Sequence, residues 1–289
     1  MSDLALAALF AVFIWWFSTG IVLLLNRMSR SAVRWSLGLS TLLSAAALMA
    51  LAHTAQQTSI ASVYCAFTCA LLVWGWNELT FLTGWITGPR TTAIAADLPE
   101  GQRFVQSLRA ILWHELGILA VGCAIVAITW KAPNQIGTWT FMVLWAMRIS
   151  AKLNLFFGVR NLSEQFLPPH LAYLESFFRR RPINFFFPFA VAAASIVLTL
   201  VVKRALDPST DPAQAIGLAL VGSLLALAIL EHWLLILPID ATALWRWAVK
   251  KPNTVQVNPG PHSGTYQPAG AQAPSPESKP SHEKLLHAR

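Results

Sequence analysis

Seven apolar blocks, each close to the length that one bilayer crossing needs, leave this 289-residue chain little choice of fold. A helix rises about 1.5 Å per residue, so about 20 apolar residues cross a hydrocarbon core roughly 30 Å thick. The blocks lie at about 3–25, 35–54, 60–84, 111–130, 138–159, 184–202 and 213–237. The fifth is the most polar, carrying Arg148, Lys152 and Asn154, but Thr138–Met147 and Leu153–Val159 hold it together. Hydrophobic residues make up 55% of the chain and charged ones 12%, and the apolar residues come in runs rather than in alternation. The expected fold is all-α: a polytopic membrane helix bundle of about seven transmembrane helices over residues 1–251, in contact with membrane lipids. The first block lacks a basic leader and is long enough to remain as a span rather than be removed as a signal peptide.

Lys and Arg fall unevenly between the blocks. Arg27, Arg30 and Arg34 follow the first span, Arg90, Arg103 and Arg109 the third, Arg160 and Arg179–Arg181 the fifth, and Arg246, Lys250 and Lys251 the seventh. The alternate segments carry only Lys131, Lys203 and Arg204. Positive charge stays on the cytoplasmic side, so the amino terminus is expected outside and the carboxyl terminus in the cytoplasm. The net charge of +8 is mostly this collar, which suits anionic lipid head groups. No basic stripe interleaved with aromatics asks for nucleic acid.

Seven ionisable residues stand inside the blocks: Glu78, His114, Glu115, Arg148, Lys152, Glu231 and His232. Each costs a few kcal/mol to place in hydrocarbon, so together they suggest a polar interior with a task. Counted from the cytoplasmic ends of the expected spans, His114 and Glu115 lie about 5–6 Å deep and Glu231 and His232 about 8–9 Å. By the same count Glu78 lies about 9 Å in, Lys152 about 10 Å and Arg148 about 16 Å. Six of the seven thus share one layer of the inner leaflet, with Arg148 deeper.

Four uses of such a layer are open at this point. One is a salt-bridge network that fixes helix packing. Another is a ligand site in which His114 or His232 coordinates the metal of a tetrapyrrole, with Glu115 and Glu231 as supports and Arg148 and Lys152 meeting a carboxylate. A carboxylate–histidine metal centre is disfavoured, because His114–Glu115 and Glu231–His232 are adjacent pairs and not the Glu-x-x-His of helical di-iron bundles. The last is a proton or solute path with Glu78 as a relay. An enzyme of tetrapyrrole metabolism and a transporter therefore stand as alternatives; no nucleophile motif supports the former and no inverted repeat the latter.

Other features read more plainly. Many of the 13 tryptophans, among them Trp35, Trp85, Trp130, Trp139, Trp245 and Trp247, fall near expected span ends, as an interfacial belt would. Trp15, Trp16, Trp74, Trp76 and Trp145 lie deeper, where they suit bundle packing or a flat ligand. Cys65, Cys69 and Cys123 all lie within spans and form no extramembrane disulfide framework. Residues 252–289 are rich in Pro, Gly, Ser and Gln and are expected to be a disordered cytoplasmic tail. In the segment 83–90, TGWITGPR, two glycines permit a close turn and a proline stops the helix. The loop 161–183 places Leu171, Leu174, Phe177 and Phe178 at helical spacing before Arg179, Arg180 and Arg181. It predicts an amphipathic helix lying on the inner membrane face, as an anchor or as a docking surface for a partner protein.

The segments WNELTFLTGWITGPR (76–90), WHEL (113–116), the long block from Lys131 to Asn184 and LEHWLLILP (230–238) resemble the PuhE family of photosynthetic complex assembly proteins of purple bacteria. The resemblance covers about residues 5–250. It implies a multi-pass protein of the bacterial inner membrane, cytoplasmic or intracytoplasmic. It further implies a role in forming the reaction centre and its light-harvesting ring, with photosynthetic complex subunits or other assembly factors as partners. It also implies a link to bacteriochlorophyll supply, which makes bacteriochlorophyll or a precursor the expected ligand of the layer. It supplies no catalytic residues.

Overall fold

The computed structural model describes residues 2–95, 98–162, 167–239, 244–245 and 247–248. Met1–Lys250 form one compact unit, and the expected tail lies outside the described residues. Among the latter, seven helices are long and apolar enough to cross a membrane: α1 (Ser2–Asn26), α2 (Arg30–Ala55), α3 (Ile60–Leu82), α4 (Glu100–Ile128), α5 (Ile136–Phe157), α6 (Phe186–Ala205) and α7 (Pro212–Ile236). A short 3-10 helix, Pro169–Phe177, lies between α5 and α6. The chain is therefore a multi-pass membrane protein with an all-helical fold.

Side-chain caps open three of the helices. Ser29 Oγ accepts from Ala32 N at the start of α2, and Ser59 Oγ from Ser62 N at the start of α3. Asp211 accepts from Ala213 N and Gln214 N beside Pro212, which opens α7. Asn134 ties the α4–α5 turn to the end of α2: its side chain donates to Thr54 O and accepts from Ile136 N.

The most enclosed helix is α3, which touches α1, α2, α4, α5 and α7 and has more than half of its span buried inside the protein. Phe67 and Leu71 of α3 meet Ala7 and Ala11 of α1 and Leu220 and Leu224 of α7 in one cluster. A second cluster joins Leu51 of α2, Val73 of α3, Ile118 and Ile125 of α4, and Phe141 of α5. Lipid tails are as apolar as leucine, so these contacts hold helices by close packing and not by removing apolar surface from water. Polar pairs consequently carry much of the specificity of the arrangement.

Four expectations need revision. First, α4 begins at Glu100, eleven residues before the block at 111, because residues 100–110 mix polar and apolar side chains and escape a purely apolar count. Arg103 is buried there, donating to Phe156 O and Phe177 O with its guanidinium 4.3 Å from the Phe156 ring centre. Second, the amphipathic segment within 161–183 is a 3-10 turn whose apolar side faces the protein. Leu171, Leu174 and Phe177 are buried against Phe81, Leu82 and Ala110, so this side is not free to lie on lipid. Third, Phe177 is consequently absent from any docking surface, and Arg179 pairs with Glu100; Arg180 and Arg181 are exposed and Phe178 is half-buried. Fourth, Trp245 is not a belt residue but is buried against Trp15 and donates to Trp16 O, whereas Trp35, Trp85, Trp130 and Trp139 are exposed as a belt requires.

Candidate functional site

Helix α5 gathers the intramembrane polar residues. Arg148 and Lys152 stand one turn apart on one face of it. Arg148 Nη2 donates to Glu78 Oε2 of α3 at 2.8 Å. Lys152 Nζ forms a close ion pair with Glu115 of α4, and both side chains are about four-fifths buried. On another side of α5, Ser150 Oγ lies 2.8 Å from His232 Nε2 of α7.

Five of the seven residues of the layer, Glu78, Glu115, Arg148, Lys152 and His232, thus stand in cross-helix polar pairs. The depth ruler holds on α3, α5 and α7, where Glu78, Lys152 and Glu231 lie four, five and five residues from their helix ends. It fails on α4, whose early start puts Glu115 fifteen residues in. Contact with Lys152 nevertheless sets Glu115 level with the others. The first turns of α4 therefore extend past α5 toward the Arg-rich end of the bundle.

The two histidines differ in what their rings meet. His232 is buried, and its Nδ1 lies 2.8 Å from Ala228 O. A carbonyl only accepts, so Nδ1 carries the proton and Nε2 accepts from the Ser150 hydroxyl. Both nitrogens are used. His114 is also buried, 1% exposed, with its ring stacked on Phe81 at 4.4 Å between centres, yet its Nε2 has no partner.

Backbone geometry around His114 is unusual as well. Its N–H donates to Thr87 O at 2.9 Å, from the loop that follows α3. That loop turns through Gly84, at φ +80°, where a side chain would press on the His170 ring. At Gly88 an added Cβ would stand 2.1 Å from Arg109 O, so only glycine lets the loop lie directly on the α4 backbone. The glycines expected to shape a turn therefore also bring a loop carbonyl to the peptide of a buried histidine. Neither this contact nor Phe81 and Ser150 was visible in the sequence, because each depends on which residues face one another across helices.

Glu231 belongs to the same region but forms no ion pair among the described residues. It is exposed at the residue level, meets the Trp15 indole, and lies in the field of Arg148 and Glu78. The cluster holds three carboxylates against two cations. Among the described residues, eight side chains keep a buried nitrogen or oxygen without a partner, and four of them, Glu78, His114, Trp145 and Arg148, surround this layer. Buried polar groups are nearly always satisfied, so this concentration sets the layer apart from the rest of the described interior. No three of the described His, Cys, Asp and Glu residues are grouped so as to hold a metal ion.

A multi-pass helix bundle with a paired, partly unsatisfied polar layer is the class that fold and site define together. The chain belongs to the family described as protein of unknown function (DUF3623), which matches residues 1–256. It is 37% identical over 270 residues to a Rhodobacter capsulatus protein described as an uncharacterized 30.4 kDa protein in the puhA 5' region, covering 90% of this chain and 97% of that protein. No solved structure matches.

Proposed function

We propose that this protein is an assembly factor of the PuhE type for the photosynthetic reaction centre and its light-harvesting complex. It acts in the bacterial inner membrane, with its Arg-rich end in the cytoplasm, and is linked to bacteriochlorophyll supply. The gene region named for the Rhodobacter capsulatus relative, beside puhA, agrees with the resemblance of the Lys131–Asn184 block to that family. The observation that carries the site reading is the buried, unpartnered Nε2 of His114 within the charged layer.

An imidazole nitrogen with no protein partner is a donor of the kind that would hold the magnesium of a bacteriochlorophyll or precursor. That metal would supply a Lewis-acid centre and no further chemistry. His114 is the ligand this reading retains, because both nitrogens of His232 are engaged. Phe81 backs the His114 ring, and the Glu115–Lys152 pair fixes α4 against α5 beside it. The Arg148 side chain, 41% exposed, keeps N–H groups beyond its bond to Glu78 for a ligand carboxylate. Arg180 and Arg181 form the exposed basic surface for assembling subunits.

The test is a deletion strain complemented with wild type, His114→Ala, Arg148→Met and, as a control, His232→Asn. Tetrapyrrole absorbance of the purified protein and assembled reaction-centre complex are both scored. Wild type is expected to copurify with pigment, and His114→Ala to lose it together with most complex. Pigment-free wild-type protein from pigment-making cells, with normal assembly in His114→Ala, would overturn the reading.

A further inference from the structure

Three guanidinium groups converge on one carboxylate where α4 begins. Arg179 pairs with one oxygen of Glu100, and Arg103 Nη1 lies 3.7 Å from the other. The charge of Arg181 acts on both Glu100 and Arg103. Arginine stays charged in proteins, so among the described residues the cluster sets three positive charges against one negative. Arg103 is buried, but Arg179 is half-buried and Arg181 and Glu100 are exposed, so the surplus charge is open at its rim.

The backbone fixes this convergence. Val159 N–H donates to Arg179 O, Arg181 N–H donates to Val159 O, and Arg179 N–H donates to Leu155 O, each at 3.1 Å. Residues 179–181 are thereby paired with the chain that leaves α5, through a parallel bridge between Val159 and Arg180. Side chains alternate along such a segment, so Arg179 and Arg181 share one side and Arg180 takes the other. Gly158, at φ +118°, makes room for the Arg181 stem, because an added Cβ would stand 2.9 Å from its Cγ and Cδ. Like charges are thus drawn together by the fold, and an anion relieves their repulsion.

Depth decides which anion. Arg103 donates to Phe156 O, one residue before α5 ends at Phe157, so the cluster lies where a span leaves hydrocarbon and lipid phosphates begin. Its apolar border is aromatic: Phe104 meets Phe156 edge-on, and the Phe157 and Phe185 rings lie 4.9 Å apart between centres. Phe104 and Phe185 are exposed, as side chains facing acyl chains are. The guanidinium fork matches phosphate oxygens, and a head group of net negative charge offsets the surplus where a zwitterionic one brings its own cation.

We infer that Arg179 and Arg181 hold the phosphate of one anionic phospholipid beside the fixed charge of Arg103, with its acyl chains against Phe104 and Phe185. Glu100 competes with the lipid for Arg179. The remaining Arg collar attracts anionic lipid without selecting a position, whereas this cluster retains a single molecule. The inference rests neither on pigment at His114 nor on the assembly role.

Full-length protein in dodecylmaltoside is titrated with dimyristoyl phosphatidylglycerol or dimyristoyl phosphatidylcholine, and retained lipids are counted by native mass spectrometry. One phosphatidylglycerol is expected to stay bound where phosphatidylcholine does not, and excess inorganic phosphate should leave it in place. Arg179→Gln with Arg181→Gln should weaken retention about 25-fold, each Arg beside an anionic head group counting for about fivefold. Arg30→Gln with Arg34→Gln, an equal charge loss elsewhere in the collar, should change it less than about threefold, as unlocalised attraction would. Glu100→Gln should tighten retention by freeing Arg179, whereas a merely structural ion pair would give a loss. Equal retention of the two lipids, equal weakening in the two double variants, or looser binding in Glu100→Gln would each overturn the proposal. Displacement by inorganic phosphate would reassign the cluster to a soluble phosphate and overturn it too.

Discussion

The seam between α5 and α7 and the seam between α3 and α4 both bury a histidine at the charged layer, but only the first is chemically complete. His232 spends both ring nitrogens on Ala228 O and Ser150. His114 stacks on Phe81, gives its backbone N–H to a loop carbonyl, and leaves Nε2 unpaired. A finished polar contact holds two helices together, whereas an unfinished one at equal burial is costly unless something else completes it. The difference separates a histidine whose ring is satisfied within the protein from one whose ring nitrogen meets no partner among the described residues.

The largest effect belongs to the α4–α5 contact that supports the unfinished side. Lys152→Met leaves the Glu115 carboxylate largely buried without its cation, and breaking a buried pair from one side costs about 3–5 kcal/mol. Adding Glu115→Gln removes the orphaned charge and should recover most of that loss. Unfolding in mixed micelles against denaturing detergent measures both. A double variant no more stable than Lys152→Met would mean that the pair is not the link between these helices.

How much of this was legible beforehand follows from which forces are local. The spans were readable because roughly 20 apolar residues in a row have one use, and the caps at Ser29, Ser59 and Asp211 confirm boundaries that hydropathy had set within a few residues. The start of α4 was not, because its first turns are amphipathic, and Arg103 there donates through one nitrogen to carbonyls of α5 and the 3-10 helix. The same holds for the segment 169–177: its apolar spacing was visible, but spacing cannot say whether lipid or protein receives that face. Within the site, the residues were visible as charges out of place, while the pairing of Glu78 with Arg148 and Glu115 with Lys152 was left open. A sequence supplies the depth of a residue on its helix and not the rotation of one helix against the next.

A second, smaller effect tests whether the loop after α3 shapes the unfinished seam. Gly88→Ala sets a methyl group against the Arg109 and Ala110 carbonyls, which cannot yield as a side chain would. Separation of the loop from α4 is expected to cost about 1–3 kcal/mol, the usual range for overpacking, and to free the Thr87 carbonyl from His114 N–H. Hydrogen exchange at the His114 amide should rise, while the Ser150–His232 seam stays protected. Equal loosening of both would show that the two seams behave as one unit.

The smallest effect compares the histidines directly. His232→Leu removes both ring contacts and strands the Ser150 hydroxyl, so a loss of about 1–2 kcal/mol is expected, within the range for unsatisfied buried groups. His114→Leu removes a ring whose Nε2 has nothing to lose, and leucine fills a similar space beside Phe81. Its stability should stay within about 0.5 kcal/mol of wild type in pigment-free protein, the usual limit for a change that breaks no paired group. In protein carrying a ligand at Nε2 the same change should remove the extra stability that binding confers, which mass action makes proportional to the logarithm of ligand excess. A His114→Leu penalty that matches His232→Leu in pigment-free protein would mean that Nε2 is hydrogen-bonded in the folded protein after all, and the contrast between the two seams would disappear.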